Sequence, residues 1–206
     1  LSDTSKIRSL TAQRMSAASG RITDVSVAMD LMIHDVEVIQ SLVKSPVVNV
    51  QAACVKTPDH PEGKDYITAL LEFENGVTAN ITSSRITQAR VRTLTVTTDT
   101  NYIDMDFINQ SINVHSQGRM PYVNQESIPE WMNYGLKGSV EQLFIPTNQP
   151  LLAELNHFVK CINGTETPRI SGQNAFDALK VIWEVEAKLG FISESEFANY
   201  NIKAAA

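Results

Sequence analysis

Residues 24–44, DVSVAMDLMIHDVEVIQSLVK, hold the best amphipathic helix of this chain and its densest group of chemically active side chains. Apolar residues recur at helical spacing and predict one buried face. That face consists of Met32, Val36, Ile39 and Val43. Ser26 or Asp24 is suited to cap the start, because both side chains accept hydrogen bonds from free backbone N–H groups. Pro46 cannot continue the helix and sets its end.

Asp30 and His34 lie four residues apart in this segment, on a different helical face from the apolar residues. Side chains at this spacing in an α-helix are neighbours. Histidine is the side chain that exchanges protons near neutral pH, and a carboxylate beside it can fix its orientation. The pair therefore suits general acid-base catalysis. The alternative is a solvated surface pair with no chemical role, which spacing alone does not exclude.

The overall composition indicates a globular protein. The 206 residues are 43% hydrophobic and 19% charged, enough for one well-buried core. A net charge of -6 with dispersed Lys and Arg argues against nucleic acid and membrane as partners. No apolar run is long enough to cross a bilayer, and the first residues lack the layout of a signal peptide. We expect a cytoplasmic location, with Cys54 and Cys161 as reduced thiols in the core.

Alternating apolar and polar residues predict a series of short strands that forms an antiparallel meander. The strongest indication is Asn75-Gly76 between residues 66–74 and 77–86, since this pair favours a hairpin with a type I′ turn. Further strands are predicted at residues 6–15, 47–55, 92–98, 102–107 and 111–115. Helices are predicted at residues 151–162 and 173–189, the second capped by Ser171. The expected fold class is α+β, an open and predominantly antiparallel β-sheet with helices packed on one face.

The other face of the predicted sheet is rich in uncharged polar residues. Apolar residues alternate with Thr78, Asn80 and Thr82 in one strand and with three threonines within residues 93–97 of another. A solvated sheet face normally carries more Lys and Glu, whereas hydroxyl groups can pair or be bridged by water against a second copy. We therefore expect a homo-oligomer through this open face. The alternative is that threonine simply favours strands.

Two further features concern ligand binding. Arg14, near the end of the first predicted strand, is placed to reach the same cleft as His34, although most arginines simply remain exposed. Residues 118–138 form a long irregular segment, of a length that is often functional. Its aromatic residues Tyr122, Trp131 and Tyr134 are suited to stack on a sugar-sized ligand, or alternatively to cover the core.

Three segments resemble the C-terminal domain of the Gfo/Idh/MocA oxidoreductases, in the order expected of that family. AMDLMIHDVEVI resembles its D-x-x-x-H-D segment, and LLEFENGVTANITSS resembles its strand, Asn-Gly turn and strand. PLLAELNHFVKCINGTETPRISGQNAFDALKVIWEVEAK resembles its closing helix pair. The resemblance covers about residues 6–188. It implies oligomerisation through the sheet, with His34 as the acid-base residue and Asp30 binding substrate or orienting the histidine.

The resemblance does not extend to the dinucleotide-binding half of that family. None of the nine glycines forms G-x-G-x-x-G, and the family's Glu-Lys-Pro motif with its catalytic lysine is absent. We therefore expect residues 1–206 to be a single domain, the substrate-binding half of a two-domain oxidoreductase whose N-terminal dinucleotide-binding domain is absent. NAD or NADP is expected in the full-length protein. No cofactor is expected on this chain alone, which we expect to be inactive.

Three functions follow as hypotheses. The first is oxidation of a hydroxyl group of a sugar, sugar derivative or cyclitol by hydride transfer from its carbon to a nicotinamide, with His34 and Asp30 as catalytic residues and Arg14 as a substrate-binding residue. The second is a non-catalytic oligomerisation or sugar-binding module that keeps the same sheet and helices. The third is a metal-dependent hydrolase with Asp30 and His34 as ligands. It is the least favoured, because a catalytic zinc normally has three protein ligands.

Overall fold

The computed structural model describes residues 6–17, 24–117, 138–145, 149–193, 195–198 and 200. The strands of this part are β1 (Ile7–Met15), β2 (Val47–Cys54), β3 (Tyr66–Phe73), β4 (Thr78–Ser84), β5 (Val91–Thr98), β6 (Asn101–Asp106), β7 (Ser111–Gln117) and β8 (Gly138–Leu143). The helices are a π-helical turn (Ala28–Met32), α1 (Ile33–Val43), α2 (Pro150–Ile162) and α3 (Gly172–Lys188). The predicted strands and helices are confirmed to within a few residues, and β8 is an addition. The aromatic segment at 118–138 lies outside the described residues, except for Gly138.

The eight described strands form one sheet in the order β2-β3-β4-β1-β5-β6-β7-β8. Neighbouring strands are antiparallel, except that β1 and β4 run parallel. The expected continuous meander is therefore wrong, because β1 inserts between β4 and β5. The long connection between β1 and β4 permits their parallel pairing, which a short turn would not. Leu10 and Ala12 are buried, as expected of a central strand.

The β3–β4 hairpin is antiparallel as predicted, but its turn is not of type I′. Type I′ needs two successive residues with positive φ. In this turn Gly76 has a φ of 82°, whereas Asn75 is not in the left-handed region. The N–H of Gly76 donates to the Phe73 carbonyl at 2.8 Å, and the Asn75 side chain accepts the N–H of Val77 at 3.2 Å. These contacts match a longer hairpin loop that ends in a left-handed glycine.

Segment 24–44 begins with a π-helical turn where a regular α-helix was predicted. Ser26 caps this turn, since its Oγ accepts the N–H of Met29 at 3.2 Å and its carbonyl accepts the N–H of Asp30 at 3.0 Å. The Ser26 hydroxyl also donates to the carboxylate of Glu186 in α3 at 2.5 Å, and both residues are buried. The cap therefore also joins the two helices.

The predicted apolar face of this segment is confirmed. All four of its members are buried, at 8% exposure or less: Met32, Val36, Ile39 and Val43. They belong to one apolar core with residues of the sheet and of α3. The helix ends at Val43, where Lys44 takes a left-handed conformation with φ 51°, two residues before Pro46.

The two C-terminal helices differ in what they bury. Ser171 caps α3 as predicted, because its Oγ accepts the N–H of Asn174 at 3.2 Å. Val181, Ile182 and Val185 of α3 are buried in the core. No residue of α2 is buried. The large apolar side chains of α2 are exposed: Leu151, Leu152, Leu155, Phe158, Val159 and Ile162.

The α+β class is confirmed, because α1 and α3 cover one face of the sheet. On the opposite face of β4, β1 and β5 the register aligns uncharged polar side chains. They are Thr78, Asn80, Thr82, Ser9, Thr11, Gln13, Thr93, Thr95 and Thr97. Cys54 packs at the edge of the core, whereas Cys161 lies on α2 outside it, so its predicted core position is wrong. None of the helices in the described residues is long and apolar enough to cross a membrane.

Candidate active site

His34 is presented to solvent at the start of α1. Its neighbours Asp35 and Val36 are buried, whereas His34 itself is exposed. Asp30 lies in the preceding π-helical turn, a type of turn that closes i→i+5 backbone bonds and often marks functional sites. Because this turn holds one residue more than an α-helical turn, Asp30 and His34 do not stack directly. Within the described residues no hydrogen bond joins them.

Asp30 lies beside an arginine that extends from the sheet. Arg85 follows β4, and its Nη1 lies 3.9 Å from Oδ2 of Asp30. The remainder of the guanidinium is anchored, because Nε donates to Asp65 and Nη2 donates to the Val25 carbonyl at 2.7 Å. Nη1 is buried and has no hydrogen-bond partner among the described residues. The Nη1 group of Arg85 can therefore still donate a hydrogen bond beside Asp30.

Asp65 and His60 complete this charged cluster. Nδ1 of His60 lies 2.6 Å from Oδ2 of Asp65. Burial raises the pKa of Asp65, but hydrogen bonds and charges from Arg85 and His60 outweigh it, so the pKa lies below its ordinary value. The ionised Asp65 thus fixes Arg85, and Arg85 faces Asp30. The sequence places His60 in a loop with two prolines, where a solvated turn residue is the natural interpretation.

Arg14 forms a two-point ion pair with Asp35, the residue after His34. Its Nε donates to Oδ2 at 2.9 Å and its Nη2 donates to Oδ1 at 2.8 Å. The two side chains are 16% and 6% exposed. The pair fastens α1 to the central strand β1 at the turn that carries His34. The expected contact of Arg14 with substrate stays a prediction.

A second arginine lies beside this pair. Arg92 of β5 stands directly opposite Arg14 of β1 in the antiparallel register, so both side chains lie on the helical face of the sheet. Burial lowers the pKa of Arg92, as do the positive charges of Arg14 and Arg90, while Asp35 raises it. No sequence pattern predicts this cluster, because the pairing of β1 with β5 creates it.

A groove between α1 and α3 lies away from these residues. It has a volume of about 830 Å³ and carries charges of both signs, including Glu37, Lys44, Asp177 and Lys180. Neither Asp30 nor His34 lines it. In the part of the chain that the structure describes, no three His, Cys, Asp or Glu side chains converge on a possible metal position.

Several known proteins with the same architecture are oxidoreductases by name. UDP-N-acetylglucosamine 3-dehydrogenase of Acidithiobacillus ferrooxidans is 27% identical over 154 residues, which cover 71% of this chain and 49% of that protein. A solved structure of that enzyme matches with a TM-score of 0.74 at 26% identity, over 91% of this chain and 57% of the other.

Two more distant structures share the fold. An aldose-aldose oxidoreductase from Caulobacter crescentus matches with a TM-score of 0.66 at 19% identity, over 90% of this chain and 54% of the other. A 3-ketoreductase from Actinomadura kijaniata, solved in complex with NADP, matches with a TM-score of 0.59 at 17% identity, over 88% and 51%. The fold is thus that of the domain which these oxidoreductases contain.

Residues 7–103, which run from β1 into β6, match the family model of the GFO/IDH/MocA C-terminal domain. The chain thus contains a segment of the Gfo/Idh/MocA C-terminal domain, and the relatives named above resemble the chain over most of its length. The family expected from the sequence is thereby confirmed. The matched segment contains Arg14, Asp30, His34, Arg85 and Arg92. The chain spans about half the length of the relatives described above.

Proposed function

We propose that this chain is the substrate-binding half of an NAD(P)-dependent oxidoreductase that acts on a hydroxyl group of a sugar or sugar derivative. The observation that carries the proposal is an exposed His34 whose helical turn is fixed by the buried Arg14–Asp35 pair. A fixed position is what an acid-base group requires, because small displacements of a reacting group cost much of its rate. The names of the relatives support the substrate class, since they specify UDP-N-acetylglucosamine and aldoses.

His34 is the proposed acid-base residue. Oxidation of an alcohol releases the hydroxyl proton while a hydride leaves the carbon. The imidazole accepts this proton, and in the reverse direction it returns the proton to the carbonyl oxygen. Asp30 is the proposed acceptor of a hydrogen bond from a neighbouring substrate hydroxyl, and it orients the imidazole only if the bound substrate brings the two side chains together. Arg85, which is fixed by Asp65, places a positive charge beside the Asp30 carboxylate. Arg14 is the proposed substrate contact at the edge of the site.

The nicotinamide cofactor is assigned to no residue of this chain. Dinucleotide-binding domains hold the pyrophosphate at a strand, a glycine-rich turn and a helix, and the described elements contain no such unit. The 3-ketoreductase from Actinomadura kijaniata, of which this chain covers 51%, was solved with NADP. We place the binding of NAD or NADP in a part of the full-length polypeptide outside these residues.

The open sheet face is the proposed surface for homo-oligomerisation. Its central row joins Asn80, Thr11 and Thr95 on three adjacent strands, and none of them carries a charge. This surface also favours the alternative function, an assembly or sugar-binding module without catalysis. The cytoplasm is the proposed location, where thiols such as Cys54 and Cys161 stay reduced.

Replacement of His34 in the full-length polypeptide tests the proposal. We expect His34→Gln to lower kcat for NAD(P)-linked oxidation of a panel of sugars and nucleotide sugars by about 10²- to 10⁴-fold, because the hydroxyl proton loses its acceptor. Absorbance of the reduced cofactor measures the rate, and circular dichroism measures the fold.

His115→Gln is the matched control. His115 pairs with Asp104 at 3.1 Å on the open side of the sheet, so its loss should leave kcat unchanged. Unchanged turnover of the His34 variant would contradict the acid-base assignment. A stable wild-type oligomer without turnover on any substrate of the panel would favour the assembly function.

A further inference from the structure

Arg92 carries a positive charge that the described part of the chain does not neutralise. Arg14, directly opposite, already directs its Nε and Nη2 to Asp35. Arg90 is exposed, and neither it nor Arg92 forms an ion pair with any residue that the structure describes. The positive charges of Arg14 and Arg90 both act on Arg92, whereas the nearby Asp35 carboxylate is paired with Arg14, so the cluster has an excess of positive charge.

This excess charge lies next to the candidate acid-base residue. The register places Arg92 on the same sheet face as Arg14, with the two Cβ atoms about 5 Å apart. That face receives Asp35 from α1, and the Asp35 charge acts on Arg92. Because Asp35 directly follows His34 in the chain, an anion bound at Arg92 would lie near the helical turn that carries the exposed His34.

We propose that Arg92, with Arg90 beside it, binds an oxyanion group of the substrate, a phosphate or a carboxylate, next to His34. The identity of the ligand as substrate rests on the proposed function, whereas the attraction for an anion rests on the neighbouring guanidinium groups. A partly buried guanidinium flanked by like charges has lost part of its hydration, and an anion that enters the cluster replaces it. A freely solvated surface arginine would have no such requirement.

Two substrate groups have the required chemistry. The planar guanidinium donates two parallel hydrogen bonds to the oxygens of either a phosphate or a carboxylate. A nucleotide sugar would supply its diphosphate, some bonds away from the reacting carbon. A sugar acid would supply its own carboxylate. Binding measurements with UDP and with glucuronate separate these two sources.

Calorimetric titration of the full-length polypeptide tests the proposal. We expect UDP or glucuronate to bind with one-to-one stoichiometry, and Arg92→Gln to raise the Kd of that ligand at least about tenfold, since a charge-assisted hydrogen bond is lost. The wild-type Kd should also rise with NaCl concentration, because salt screens the attraction. If Arg92→Gln weakens the binding of UDP alone, the substrate group is a phosphate. If it weakens the binding of glucuronate alone, the substrate group is a carboxylate.

Three variants provide the controls. Arg8→Gln removes an arginine that pairs with Asp99 on the exposed surface, and it should leave both Kd values unchanged. Arg92→Lys keeps the charge without the two-point geometry and should restore part of the affinity. The proposal would be overturned if Arg92→Gln bound both probes with the wild-type Kd. It would also be overturned if Arg8→Gln weakened binding as much as Arg92→Gln does. An Arg92 dependence seen only with 2′,5′-ADP, a probe for the cofactor phosphate, would overturn it as well.

The His34→Gln variant separates this inference from the proposed function. We expect it to bind the anionic probe with the wild-type Kd, because the proton acceptor does not hold the oxyanion. If His34→Gln keeps full turnover while Arg92→Gln loses the anion, the acid-base role fails and the anion site stands. If His34→Gln loses turnover while Arg92→Gln binds the probe normally, the anion site fails and the acid-base role stands.

Discussion

Asp35 fastens the helix that carries His34 to the sheet. Its carboxylate accepts two hydrogen bonds from Arg14, and both charges are largely withdrawn from water. Such a pair contributes little net stability when it forms, but removal of one partner leaves the other buried without a countercharge. Arg92, which is also positively charged and lies opposite Arg14, adds to that cost. The position of His34 therefore depends on Asp35.

We expect Asp35→Asn to lower the free energy of unfolding by about 3 kcal/mol, because it strands the Arg14 guanidinium in the interior. Urea denaturation followed by circular dichroism measures the change. Asp99→Asn is the matched control, since its partner Arg8 is 64% exposed, and we expect it to cost less than about 1 kcal/mol. Similar small losses in both variants would show that the Arg14–Asp35 pair does not anchor α1.

The residues of the candidate site differ in how far the sequence reveals them. Asp30 and His34 can be selected because their types and spacing lie within one segment. Asp65 and His60 lie in the loop before β3, whereas Arg85 follows β4, so Arg85 meets Asp65 only once β3 and β4 have paired. A residue-type pattern cannot show such a cluster, because it follows from strand register and not from spacing.

Among the helices, α1 and α2 show what amphipathic patterning does and does not determine. Both have apolar residues at helical spacing, and both form helices at their predicted positions. The spacing determines that a helix has an apolar side, but only the topology determines whether another element covers it. α1 lies on the sheet and buries its apolar face, whereas no residue of α2 is buried. The π-helical turn before α1 is likewise invisible in the spacing.

A pair of matched substitutions measures this difference between the helices. Ile39 of α1 is fully buried, so we expect Ile39→Ala to cost about 2 to 5 kcal/mol through lost burial and the resulting cavity. Phe158 of α2 is 62% exposed, so Phe158→Ala should cost less than about 0.5 kcal/mol in this chain. Urea denaturation gives both values. A loss of several kcal/mol for Phe158→Ala would show that α2 packs on this chain in solution.

At the scale of the molecule, fold class was predictable and strand order was not. Period-2 alternation in each strand defines an apolar face and a polar face, which is sufficient for an open sheet with helices on one side. The same alternation contains no information about neighbours, so the insertion of β1 between β4 and β5 could not be derived from it. That insertion nevertheless creates both the arginine pair of Arg14 and Arg92 and the central row of the open face.

The open face provides the test at this scale. Thr11 has Asn80 on one side and Thr95 on the other, at the middle of the uncharged surface. If two copies bury this surface against each other, Thr11→Lys with Asn80→Lys places ammonium groups in an interface with no countercharge, which is strongly unfavourable. We expect analytical ultracentrifugation to show an oligomer for the wild type and a monomer for the double variant. Ser41→Lys, on the exposed side of α1, should leave the oligomer intact. A wild-type mass equal to one chain would contradict this use of the sheet.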